Sequence, residues 1–178
     1  MTPLEHALAY AARGWRVAPI PPGYKYPHGI DNWQQVATTD FERISRYWTI
    51  NPTHGVCIAT GPGSGLWALD IDPDHGGDDS LRALEAAHGP LPDTVTSLTG
   101  GGGAHYLFTW PDDGREIRNN QSGLLGVGLD VRGEGGQIVV APTVHPCGVM
   151  YAWEVEHHPF DGIAVQPAPA WLVGALTA

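Results

Sequence analysis

Residues Leu66-Trp67-Ala68-Leu69-Asp70-Ile71-Asp72 form an apolar run that ends in two carboxylates and is halted by Pro73-Asp74-His75-Gly76-Gly77. A short apolar run bounded by turn formers predicts a buried strand at the heart of a sheet. Side chains alternate faces along a strand, so Asp70 and Asp72 project the same way, roughly 6 to 7 Å apart. Two ionised carboxylates at that separation repel unless a cation or a proton lies between them, so the pair invites a divalent metal at neutral pH. An acidic turn following an ordinary strand presents the same residues. The rest of the chain has to decide.

Composition narrows the fold. With 24 Gly and 16 Pro in 178 residues, turns are frequent and elements short, which argues against a helical bundle. Hydrophobic content of 42% is enough for one globular domain over residues 1–178. No apolar run is long enough to span a bilayer, and Met1-Thr2-Pro3-Leu4-Glu5 lacks the basic start of a signal peptide, so a cytoplasmic location without membrane contact is expected. Cys57 and Cys147 stand alone and read as a buried apolar residue or a stray thiol. A net charge of −10 with 9 Lys+Arg counts against a large nucleic-acid footprint, so any such contact must be local, metal-assisted or helped by further segments.

In chain order, Thr2-Pro3-Leu4-Glu5 has the form of a capping box for a helix that carries Leu4, Ala7, Leu8 and Ala11 and closes at Gly14. Trp15 to Ile20 reads as a strand, and the following loop, Gly23 to Gly29, holds the protein's one lysine, Lys25. Thr39-Asp40-Phe41-Glu42 predicts a second capping box before a helix with Ile44, Tyr47 and Trp48 on one face. Gly55 to Ala59 is a short buried strand, and Thr60 to Gly65 reads as a hairpin turn into the Leu66 run, since it lacks the Gly-Lys-Ser/Thr ending of a P-loop. Asp78 or Asp79 is placed to cap a helix through Leu84 that ends at Gly89-Pro90.

Thr94 to Leu98 predicts a strand that enters Thr99-Gly100-Gly101-Gly102-Gly103-Ala104-His105. Consecutive glycines let backbone amides approach an anion, and His105 opens the next strand beside them. Gly128 to Pro142 reads as a strand with Leu129 and Val131 inward and Asp130 and Arg132 on the opposite face, then a glycine-rich turn and an apolar strand. Met150 to Val155 predicts another strand and Pro169 to Leu176 a closing helix. His145, His157 and His158 have no metal-ligand spacing to a cysteine and read as surface residues.

Leu-Asp70-Ile-Asp72, Thr99-Gly-Gly-Gly-Gly-Ala-His105, Leu-Asp130-Val-Arg132-Gly-Glu-Gly-Gly and Val139-Val-Ala-Pro-Thr-Val-His-Pro, in that order, resemble the archaeo-eukaryotic primase superfamily. The nearest likeness is to its bifunctional DNA primase/polymerase branch, found in replication proteins of plasmids, phages and integrated elements. The resemblance spans nearly the whole chain. It implies an α+β fold, a mixed β-sheet with an RNA-recognition-like palm and flanking helices. It also implies metal-dependent, template-directed nucleotidyl transfer from nucleoside triphosphates on a DNA template or primer, with a helicase module as a further partner.

Carried over residue by residue, the resemblance makes Asp70, Asp72 and Asp130 the catalytic ligands of Mg²⁺ or Mn²⁺. It makes Gly102, Gly103 and His105 nucleotide contacts, with Lys25, Arg118 and Arg132 as basic helpers. Gly103 stands where many members have Ser, so a hydroxyl contact is not expected there; the zinc-binding element that the family often carries has no visible counterpart, which favours primer extension over primer synthesis. Three acids and a histidine also suit a two-metal nuclease, and the acidic charge suits an idle nucleotide-binding or replication-complex module. If the acids simply repel, removing Asp70 or Asp130 should leave stability within about 1 kcal/mol or improve it.

Overall fold

The computed structural model describes residues 1–177. Helix α1, Pro3–Ala12, starts at a true capping box: Thr2 Oγ1 accepts from the Glu5 amide, and the Glu5 carboxylate accepts from the Thr2 amide at 2.7 Å. Strand β1, Val17–Ile20, is two residues shorter at its start than the sequence predicts. A short helix α2, Trp33–Val36, precedes α3, Phe41–Ile50. The N-cap of α3 is Asp40, whose carboxylate accepts from the Glu42 and Arg43 amides, so the cap stands one residue later than the expected box.

Strand β2, Gly55–Ala59, pairs with β1 and with β7, Gln137–Val140, in a three-stranded antiparallel sheet. The acid-bearing run is β3, Leu66–Ile71. It lies between β5, Ala104–Thr109, and β6, Leu129–Arg132, in a five-stranded sheet completed by β4, Thr96–Leu98, and β8, Ala152–Trp153. All named pairings are antiparallel, and helices flank the sheets, which is the α+β class that the family resemblance implies.

Thr60 to Gly65 is not a hairpin. Gly61 and Leu66 form one bridge, after which β2 and β3 diverge into different sheets. The cause is competition for edges. Thr60 is tied to the β6–β7 turn by its amide to the Gly136 carbonyl and its hydroxyl to the Gly133 carbonyl, while both edges of β3 are taken by β5 and β6.

Alternation along β3 divides the core. Leu66 and Ala68 join the cluster under α1 and α3 with Tyr10, Ile44, Trp48 and Trp153; Trp67, Leu69 and Ile71 join the other face with Phe108, Leu129, Val131 and Leu172. The second cluster is covered by α4, Gly77–His88, and α5, Ala170–Thr177. The N-cap of α4 is Gly76, in the left-handed region at φ 82°, with Asp78 and Asp79 in the first turn instead of capping it.

Candidate active site

The site is a row across the five-stranded sheet. Register places His105 of β5 and Asp130 of β6 directly opposite Asp70 of β3, one on each side, and Ser97 of β4 opposite His105. Directly opposed residues share a face at about 4.5 to 5.5 Å between Cα atoms, so sheet pairing alone sets these side chains together. Asp72 follows β3 in extended geometry and accepts from the Asp74 amide and from His75 Nδ1 at 2.7 Å. Its backbone is pinned on both sides, with its amide on the Gly128 carbonyl and its carbonyl accepting from Gly77. A Cβ at Gly77 would stand 2.5 Å from the Gly128 carbonyl oxygen, so the close approach of β6 to the start of α4 requires glycine there.

These residues line one cavity of about 980 Å³. Its lining includes Asp70, Asp72, His105, Asp130 and Arg132 from the sheet, Thr99, Gly101 and Gly103 of the glycine loop, and His145 and Tyr151; Lys25 and Tyr26 reach it from the loop after β1. Gln137 Nε2 donates to the Lys25 carbonyl and holds that loop against β7. Gly102 turns the glycine loop at φ 87° and is not part of the lining. Arg118 stands outside as well, with its exposed guanidinium 3.8 Å from Glu116.

The acids do not simply repel. Arg132 donates to Asp70 Oδ2 from Nε at 3.1 Å and from Nη2 at 2.7 Å, and Nη2 also reaches Asp130 Oδ2 at 3.1 Å. His105 Nε2 lies 3.4 Å from Asp70 Oδ1. Burial works to raise the Asp70 pKa, but His105 and Arg132 override it and hold the carboxyl well below the usual range. Asp130 is pushed up, first by burial and then by the Asp70 charge, against the pull of Arg132. Environment thus separates two neighbouring carboxylates by sign. Tyr151, which also lines the cavity, is raised to about 12 by burial and by Asp70.

Asp70, Asp72 and Asp130 offer carboxylate oxygens alone, a donor type that suits Mg²⁺ or Mn²⁺. Among the described residues no three His, Cys, Asp or Glu side chains stand grouped to hold an ion. A guanidinium lies between Asp70 and Asp130 instead, so the gap between these carboxylates already accommodates positive charge.

The glycine loop is partly committed. The Gly102 and Gly103 amides donate to the Thr99 carbonyl and hydroxyl, whereas those of Gly100 and Gly101 carry no intramolecular hydrogen bond among the described residues. The family model for the N-terminal domain of bifunctional DNA primase/polymerases matches residues 7–171. The chain belongs to that family. Membership makes primase/polymerase-type nucleotidyl transfer the activity of this domain class and metal dependence its general habit. No curated protein matches the chain.

Sequence reasoning missed His145. Read as a surface residue, it is half-buried and faces the cavity beside the Prim-Pol glycine loop. The signal that could have found it is its place in the Val139-to-Pro146 block, the one resembling segment to which no role was given. No helix among the described residues is long and apolar enough to cross a membrane.

Proposed function

We propose that this domain extends, and under suitable conditions starts, nucleic-acid strands on a DNA template by metal-dependent nucleotidyl transfer from nucleoside triphosphates. The observation that carries the reading is the register row His105–Asp70–Asp130, which faces the same cavity as Asp72, the glycine loop and Lys25. Asp70, Asp72 and Asp130 are the residues that would hold Mg²⁺ or Mn²⁺. When bound, the metal supplies Lewis-acid activation of a 3′-hydroxyl and neutralises charge on the triphosphate.

The chain's own residues do the positioning. Asp70, kept ionised, orients the Arg132 guanidinium and receives His105, so one end of the cavity is fixed before substrate arrives. Asp130, with its raised pKa, is more easily protonated than Asp70 in the absence of a cation. The free Gly101 amide and the Lys25 ammonium offer donors to phosphate oxygens, and alignment plus charge neutralisation is how such sites accelerate phosphoryl chemistry. Priming and extension share this chemistry and differ in how the first nucleotide is held.

The test is incorporation of labelled dNTP or rNTP into a primer-template, and into template alone, with Mg²⁺ or Mn²⁺. Incorporation by the wild type that vanishes in Asp70→Asn supports the reading; strand shortening without nucleotides would make the domain a nuclease. A binding-only module is the second reading. It is favoured by the guanidinium lodged between two acids and by the net charge of −10. It predicts nucleotide binding without incorporation at any metal concentration.

A further inference from the structure

The turn that carries His145 backs directly onto the glycine loop. The His145 amide donates to the Val149 carbonyl at 2.8 Å and Gly148 donates back to the His145 carbonyl at 2.8 Å, closing a tight turn. A Cβ on Gly100 would meet His145 Cβ and lie 2.7 Å from the Val149 carbonyl oxygen, so the two loops are in contact with no room for a side chain between them. Cys147 fastens them: its Sγ lies 3.2 Å from the Gly100 carbonyl oxygen and 2.9 Å from His145 Nδ1.

The imidazole's tautomer follows from one bond. The Cys147 backbone amide donates to His145 Nδ1 at 3.1 Å, and an amide can only donate, so Nδ1 must be the acceptor. The ring proton of the neutral imidazole therefore sits on Nε2. That nitrogen stands 3.9 Å from where a Gly101 Cβ would lie, beside the amide that has no partner of its own. Lys25 lines the same cavity, and its charge, after burial, is the second cause that lowers the His145 pKa, so the ring stays neutral near pH 7. The result is a corner of the cavity with an imidazole N–H, a free backbone N–H and an ammonium. His105, by contrast, is buried with its Nε2 turned to Asp70.

We infer that His145 is a polyphosphate-binding residue, its Nε2–H donating to a phosphate oxygen of the incoming nucleoside triphosphate beside the Gly101 amide, with Cys147 as the residue that positions it. This rests on the nucleotidyl-transfer reading for the identity of the ligand, but the anion corner itself can be probed without metal or template. A hydrogen bond to a charged partner lost at this corner is worth about tenfold or more in affinity.

The probe is inorganic tripolyphosphate, titrated calorimetrically into the whole domain in EDTA, followed by steady-state dNTP incorporation with Mn²⁺. His145→Ala and His145→Phe are expected to weaken tripolyphosphate binding about tenfold and raise KM for dNTP by a similar factor with kcat within about threefold, the pattern of lost ground-state binding. His145→Gln, which returns an N–H near the Nε2 position, is expected to recover most of both. His145→Phe keeps the bulk of the ring against Gly100, so it decides the matter if His145→Ala melts early. Tripolyphosphate binding that is absent in the wild type, or unchanged in His145→Phe, overturns the inference. If the wild type incorporates nucleotide but His145→Phe keeps a normal KM, this inference fails alone. If no nucleotide is incorporated yet tripolyphosphate binds in a His145-dependent way, the transferase reading fails and the anion site stands.

Discussion

Asp70 and Asp130 face each other across one strand pair, yet replacing them should have opposite consequences for stability. Asp70, 17% exposed, takes two hydrogen bonds from Arg132 and lies against His105; Asp130, 31% exposed, takes one from a nitrogen already shared with Asp70. Asp70→Asn keeps the shape and removes the charge that the Arg132 guanidinium and the His105 ring both face. Charge-assisted bonds contribute about 1.5–3 kcal/mol each, and Arg132 retains Asp130, so a cost of about 3 kcal/mol is expected at pH 7 in EDTA. For a chain of this length that is a fall in Tm of about 6 to 12 °C.

Asp130→Asn removes a carboxyl that burial and the Asp70 charge already disfavour as an anion, and should change stability by less than about 1 kcal/mol. Repulsion alone does not describe Asp70, whose carboxylate accepts twice from Arg132. The sign with pH follows from the shifts. The folded Asp70 pKa is lowered, so its contribution is present above the unfolded value of about 3.9 and is lost only as pH falls through the folded value. For Asp130, raised when folded, the contribution favours folding at low pH and fades as pH rises through the folded value. Calorimetric melts of the wild type and both variants at pH 7 and pH 4 read this directly. Equal melting temperatures for the two variants at pH 7 would refute the guanidinium-centred account.

Arg132→Gln strips the shared counter-charge from both acids; Mn²⁺ should then bind more tightly and raise Tm more than in the wild type, and a weaker Mn²⁺ titration would show that Arg132 helps hold the ion's ligands instead of competing for them. In the glycine loop, Gly103→Ala drives a Cβ against the Ile71 carbonyl and should cost about 1–3 kcal/mol, whereas Gly101→Ala has its nearest neighbours at 3.9 Å and should cost less than about 1 kcal/mol in thermal melts. Tyr10→Phe leaves two buried groups without a partner, since the Tyr10 hydroxyl donates to the Ala141 carbonyl at 2.7 Å and accepts from Trp153 Nε1 at 2.9 Å; a loss of about 1–3 kcal/mol in urea unfolding is expected, and no loss would mean the hydroxyl is dispensable.

Local chemistry determined much of this protein. The capping box at Thr2, the left-handed glycines, the buried run of β3 and the inward Leu129 and Val131 of β6 follow from propensity and alternation, which act over a few residues. The four ordered segments pointed to the family and to the three acids. Tertiary structure decided what depends on partners far along the chain. Thr60 to Gly65 looks like a hairpin turn until Gly133 and Gly136 claim Thr60, and β3 finds both its neighbours elsewhere. Arg132 is one of three basic helpers in the sequence until the pairing of β3 with β6 brings its side chain to both Asp70 and Asp130, and Arg118 looks equivalent until it is left outside the cavity. His145 gains meaning only because its turn lies against a glycine loop 45 residues away at Gly100, a contact that no local pattern encodes because it exists only once the sheets have formed.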